Sequence, residues 1–150
     1  MKKILFIELS DILVPKRLSR VIDSFDNCYY AVGILNENMD LPRIPKASEV
    51  ILSALPKVRE LYFSPDQSGK ECYFCNRERG IVAVHDVWKK FNSLSGTYRS
   101  PGTGIIELAI ARQSSGYDYA AKIDRNLCLM LGNAECEQYA NAANIPFMLI

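Results

Sequence analysis

The sequence predicts an α/β fold of Rossmann-like, three-layer type, with a mostly parallel sheet between layers of helices. Three observations carry this expectation. Apolar runs of strand length alternate with stretches whose apolar residues recur at helical spacing. The runs are apolar through their middles, as strands covered on both faces are. The first of them, Lys2-Lys3-Ile4-Leu5-Phe6-Ile7, breaks into Glu8-Leu9-Ser10-Asp11, delivering polar side chains to the edge where open α/β sheets place their sites.

Taken in order, residues 15–46 read as a poorly periodic insertion, a flap or small hairpin over the sheet edge, punctuated by Pro15, Pro42 and Pro45. It contains one β-prone patch, Tyr29-Tyr30-Ala31-Val32-Gly33-Ile34. Residues 47–55 have helical spacing with Ser48 as an N-cap, and Pro56 ends the helix. The second strand is 60–64, leading into the polar turn Pro65-Asp66-Gln67-Ser68-Gly69. A helix over 81–93 would present Val84, Val87, Trp88 and Phe91 on one face. Pro101 and Gly102 open another that carries Ile105, Ile106, Leu108, Ala109 and Ile110, with Gly116 interrupting it before 119–123. A third, central strand at 126–131, a helix at 135–144 and a last strand at 146–150 complete the chain. Strand–helix alternation implies right-handed crossovers and parallel pairing.

A chain of 150 residues forms one ordinary domain, with no internal repeat or evident boundary. Its 49% hydrophobic and 23% charged residues are those of a soluble globular protein. A net charge of +1 offers no electrostatic attraction for nucleic acid or an anionic membrane. Lys16, Arg17 and Arg20 read as a solvated loop. There is no run of membrane-span length and no secretory leader pattern. The odd number of scattered cysteines, 5, suits reduced thiols and a cytoplasmic location.

Four stretches, in this order, carry a family resemblance: the first strand with its acidic end; Asp66-Gln67-Ser68-Gly69; Tyr98-Arg99-Ser100-Pro101-Gly102-Thr103-Gly104-Ile105; and Leu129-Met130-Leu131-Gly132-Asn133-Ala134-Glu135-Cys136 with the alanine-rich helix and final strand beyond it. Together they resemble the haloacid dehalogenase (HAD) superfamily of phosphatases. The likeness is greatest to members with small caps or none, such as polynucleotide 3′-phosphatases and histidinol- or heptose-phosphate phosphatases. It covers almost the whole chain outside 15–46.

The resemblance implies a strand-end aspartate nucleophile, a second aspartate two residues later as acid and base, and Mg²⁺ held by the nucleophile and an aspartate of the last loop. It also implies a lysine and a Ser/Thr on the phosphoryl oxygens. This chain departs at each position. Glu8 stands at the nucleophile, its extra methylene displacing the carboxylate by roughly 1 Å, a misplacement that can lower a rate about a hundredfold. Ser10 replaces the acid/base aspartate and cannot cycle a proton near neutral pH. Asp11 falls one residue late. Asn133 takes the metal-ligand position, so Glu8 and Asn133 make at most a weak Mg²⁺ site, and the second acidic position falls on Cys136, between Glu135 and Glu137. Ser100 replaces the lysine; Lys122 would have to reach in from another helix. Either Ser64 or Pro65 holds the second-strand position.

Two further patterns carry chemistry. Arg99 with Gly102 and Gly104 at a helix start could hold an anion on backbone N–H groups. Cys72-Tyr73-Phe74-Cys75 has metal-ligand spacing, but His85 is the only histidine and no second cysteine pair exists to close a zinc site. The expected reading is a HAD-like protein with a degenerate site and no cofactor. It acts by binding a protein, a second copy of itself or a phosphorylated small molecule, with no nucleic-acid or membrane partner. The alternative is a Mg²⁺-dependent phosphomonoesterase using Glu8.

Overall fold

Lys3–Glu8 forms the first strand, β1, because its near-continuous apolar run can be buried on both faces. In the computed structural model, which describes residues 3–9, 16–25, 29–78, 80–83, 98–99, 102–113 and 123–150, this strand lies inside a larger sheet. The chain continues through α1 (Lys16–Asp23), β2 (Tyr29–Asn36), a 3₁₀ turn (Leu41–Arg43), α2 (Ile44–Ala54), β3 (Val58–Ser64), β4 (Tyr73–Asn76) and β5 (Gly80–Ala83). After these come α3 (Gly104–Gln113), a second 3₁₀ turn (Arg125–Leu127), β6 (Leu129–Gly132), α4 (Cys136–Ala142) and β7 (Phe147–Leu149).

The sheet order is β5-β4-β3-β2-β1-β6-β7. Pairing is parallel from β3 through β7, whereas β4 and β5 continue the β3 side as an antiparallel hairpin. Side chains alternate along the strands into two cores. Ile4 and Phe6 of β1, with Val32 and Ile34 of β2, pack under α3 and α4. Leu5 and Ile7, with Ala31 and Leu35, pack under α1 and α2. The fold is therefore α/β, mostly parallel and layered helix–sheet–helix, a layout compatible with a Rossmann-like arrangement. Among the described residues no helix is long and apolar enough to cross a membrane.

Several expectations need correction. The β-prone patch within 15–46 is not part of a flap over the edge. It is β2, an inner strand hydrogen-bonded to β1 on one side and β3 on the other. The surrounding prolines suggested an irregular segment, but Ala31 to Leu35 are all buried, and such a run is stable only between two neighbours. Lys16, Arg17 and Arg20 lie on α1 rather than on a loop. The strand at 60–64 is consequently the third parallel strand, not the second.

Ser48 sits within α2, where its hydroxyl donates to the Ile44 carbonyl at 2.8 Å, while a proline in the first turn marks the helix start. Ile81 to Ala83 form β5 instead of opening a helix: Gly80, at φ 76, turns the chain back against β4. The remainder of that expected helix, the Gly116 break and residues 119–122 lie outside the described residues. The helix at α3 and the helix at α4 match their expected places within a few residues, and β6 begins at Leu129 after the 3₁₀ turn.

A buried carboxylate ties α3 to the sheet. Glu60 of β3 accepts hydrogen bonds from Tyr30 Oη at 3.0 Å, Tyr62 Oη at 2.7 Å and Gln113 Nε2 at 2.9 Å, with Arg112 Nη2 at 3.9 Å. The C-terminal turn of α3 is thereby fixed over the early part of β3, which leaves its first turn at the opposite, C-terminal edge of the sheet.

Candidate functional site

Parallel strands deliver their C-terminal ends to one edge. Here that edge holds Glu8 of β1, Asn36 of β2, Ser64 of β3 and Gly132 of β6. The register pairs Glu8 with Ile34 and Asn36 with Ser64. Because side chains alternate, Glu8, Asn36 and Ser64 all point to the face covered by α3 and α4, following Phe6, Ile34 and Tyr62. Three neighbouring strands thus present one carboxylate, one amide and one hydroxyl side by side.

Glu8 is largely shielded from water. Its carboxylate oxygens accept from Asn36 Nδ2 at 3.5 and 3.4 Å, long contacts from a neutral donor. Burial pushes its pKa up to about 7, against the smaller opposing influences of the Asn36 hydrogen bond and the Arg99 charge. Arg99 comes from the segment before α3 and is anchored on β3 and the loop after β2. Its Nη2 donates to the Ser64 carbonyl at 2.9 Å and to Asn38 Oδ1 at 2.8 Å.

Ser64 itself is fully buried, and its hydroxyl has no hydrogen-bond partner among the described residues. A buried hydroxyl left unpaired is rare, because it loses its water without a replacement. Gly102 and Gly104 lie at the start of α3, and the Gly102 N–H donates to the Arg99 carbonyl at 2.9 Å. Arg99, Ser64 and the first turn of α3 therefore meet at one corner of the edge.

Across β1, Gly132 permits close approach of α4. A Cβ at Gly132 would lie 2.8 Å from the Cys136 side chain and 3.3 Å from Glu8 Cβ. Asn133 follows, exposed, and its side-chain oxygen already accepts from the Glu135 N–H at 3.0 Å and the Cys136 thiol at 3.4 Å, serving the start of α4. Burial pushes the Cys136 thiol up to about 11, and the nearby Glu8 charge adds to that. Among the described residues no three His, Cys, Asp or Glu side chains are grouped as metal ligands would be.

The structure thus brings Glu8, Ser64, Arg99, Gly102, Gly104 and Asn133 to the same edge. Ser64 occupies a third-strand place; the residue beside Glu8 on the adjoining strand is Asn36, so neither Ser64 nor Pro65 is the second-strand residue. Ser10, Asp11, Ser100, Lys122 and His85 lie outside the described residues. Cys72 and Cys75 are buried free thiols, and Cys75 lies within β4. Asn36 and Asn38 went unrecognised in the sequence, although they had a legible signal: Val32 to Leu35 breaks into Asn36-Glu37-Asn38 just as β1 breaks into Glu8. Beside Arg99 an open groove of about 500 Å³ is lined by Asn38, Met39, Asp40, Arg43, Asp66 and Gln67. No family model, curated protein or solved structure matches this chain.

Proposed function

We propose that this protein binds a phosphorylated ligand at the C-terminal edge of its sheet without hydrolysing it, on a HAD-like scaffold whose catalytic set is degenerate. The observation that carries the reading is the buried, unpartnered Ser64 hydroxyl beside Arg99 and the first turn of α3. A hydroxyl donor, a guanidinium and the first N–H groups of a helix are the groups that recognise phosphoryl oxygens; here the Gly102 N–H is already given to Arg99, which leaves those of α3 itself. The groove beside Arg99 has room for the remainder of the ligand.

The HAD-like part of the proposal is supported by the meeting of Glu8, Ser64, Arg99 and Asn133 at the ends of neighbouring parallel strands. Absence of turnover follows from the chemistry of these groups. Mg²⁺ binding favours hard, charged oxygen ligands. Glu37, Asp40 and Asp66 also stand near this edge, but among the described residues no three such side chains group as metal ligands; burial drives Glu8 towards its neutral form, and the Asn133 oxygen is committed to α4. These donors do not fit the ion. A half-protonated Glu8 near pH 7 also repels an anion less than an ionised carboxylate would.

Purified protein given a generic phosphate ester, with and without Mg²⁺, is expected to release no phosphate above background. Titration with inorganic phosphate is expected to show saturable binding at one site. Turnover that requires Mg²⁺ and disappears in Glu8→Gln would establish the phosphomonoesterase instead.

A further inference from the structure

We propose that two copies of this chain join along β7, antiparallel about a two-fold axis at Met148, into one continuous sheet. The inference is independent of the functional reading above. β7 ends the sheet and pairs on one side only, with β6. The Met130 N–H donates to the Pro146 carbonyl at 2.8 Å, and the Ile150 N–H donates to the Gly132 carbonyl at 3.0 Å. Backbone groups alternate in direction along a strand, so those of Met148, between these two, also turn towards β6. Those of Phe147 and Leu149 turn outward. Among the described residues these outward groups have no hydrogen-bond partner.

Sheet edges are usually protected by charge, proline or a bulge. β7 has none of these from Phe147 to Leu149, and residues 138–150 carry no charged side chain. Its side chains are apolar and open. Leu149 is 64% exposed, more than any other large apolar side chain among the described residues, and Met148 is 37% exposed. Unpaired N–H and C=O groups at a sheet edge are satisfied by another strand.

A second copy supplies that strand with matching spacing. Two outward residues, two positions apart, complement themselves when the strand is reversed. Phe147 meets the partner's Leu149 and Leu149 meets the partner's Phe147, each pair exchanging both N–H···O bonds. Met148 then faces the partner's Met148 as a non-hydrogen-bonded pair, with Cα atoms about 4.5 Å apart. Phe147 packs on the core under α3 and α4, and Leu149 shares its face, so each Leu149 lies over the partner's Phe147. No like charges oppose one another, and the contact closes with two copies. Two short strands make a small interface, so monomer and dimer exchange with concentration.

Sedimentation equilibrium of the full chain over a wide concentration range is expected to show the mass rising from one chain to two and no further. Leu149→Lys puts a charge on each side of the axis; Leu149→Pro removes one outward N–H while sparing the β6 ladder. Both variants are expected to lose the dimer while keeping the circular dichroism and the dilute-solution melting of wild type. Met148→Cys keeps the strand intact and is expected to form a disulfide-linked dimer under mild oxidation. Val50→Cys, at a 38% exposed position on α2 with the same native thiols, is expected not to. Wild type that stays one chain at every concentration, or grows beyond two, overturns the proposal. So does a dimer that persists in both Leu149 variants, or Met148→Cys that cross-links no faster than Val50→Cys.

Discussion

Glu8 is the residue at which burial and function meet. In an unfolded chain its carboxyl releases a proton near the ordinary value of 4.5, but in the folded protein it does so at about 7. Between those values the folded state holds the extra proton. Its contribution to stability is therefore most favourable below about pH 4.5 and is lost as pH rises through 7, by on the order of 3 kcal/mol at most. Glu8→Gln keeps the shape and removes the titration. Urea unfolding of both proteins across pH 4.5 to 8 is expected to show the variant gaining on wild type as pH rises; a constant difference would mean that Glu8 is solvated. The same substitution removes a negative charge beside the proposed anion site. Sulfate, whose own charge is constant over this range, is expected to bind wild type more tightly at pH 6 than at pH 8, and Glu8→Gln about equally at both.

At the scale of elements, the site depends on how closely α4 approaches β1. Gly132 makes this approach possible, and alanine there would press on the Cys136 side chain and Glu8 Cβ. Gly132→Ala is expected to destabilise by about 1–3 kcal/mol, the range for overpacking a tight contact, and to weaken anion binding. Equilibrium unfolding and phosphate titration measure the two effects. On the other face, the turn after β4 secures α2. Arg77 donates to the carbonyls of Leu55 at 2.8 Å, Leu52 at 3.0 Å and Val58 at 2.9 Å, serving acceptors that a helix end leaves open. Arg77→Ala is expected to destabilise by about 1–2 kcal/mol. Hydrogen exchange should quicken chiefly in the last turn of α2, with phosphate binding unchanged, because this contact is far from the strand ends.

For the whole molecule, the sequence showed the layered α/β plan because apolar runs and helical spacing are local patterns. β1, β6, β7 and the helices at α3 and α4 were legible for that reason. Strand β2 was not. Its short apolar run lies among prolines, and only its pairing with β1 and β3 shows that it belongs inside the sheet. That single misplacement moved Ser64 one strand inward and hid Asn36, the neighbour of Glu8. The β5 segment failed in the same way, since Ile81-Val82-Ala83 fits the start of a helix until it pairs with β4. Glu8 and Asn133 were placed at strand ends by the family resemblance, and Arg99 by its position before a helix start.

The central claim, binding without turnover, is tested most directly by phosphorus NMR of the full chain mixed with a phosphate monoester and Mg²⁺. The account expects the ester resonance to broaden or shift saturably with protein and no inorganic phosphate to accumulate over hours. Steady growth of an inorganic phosphate signal, lost in Glu8→Gln, would contradict it.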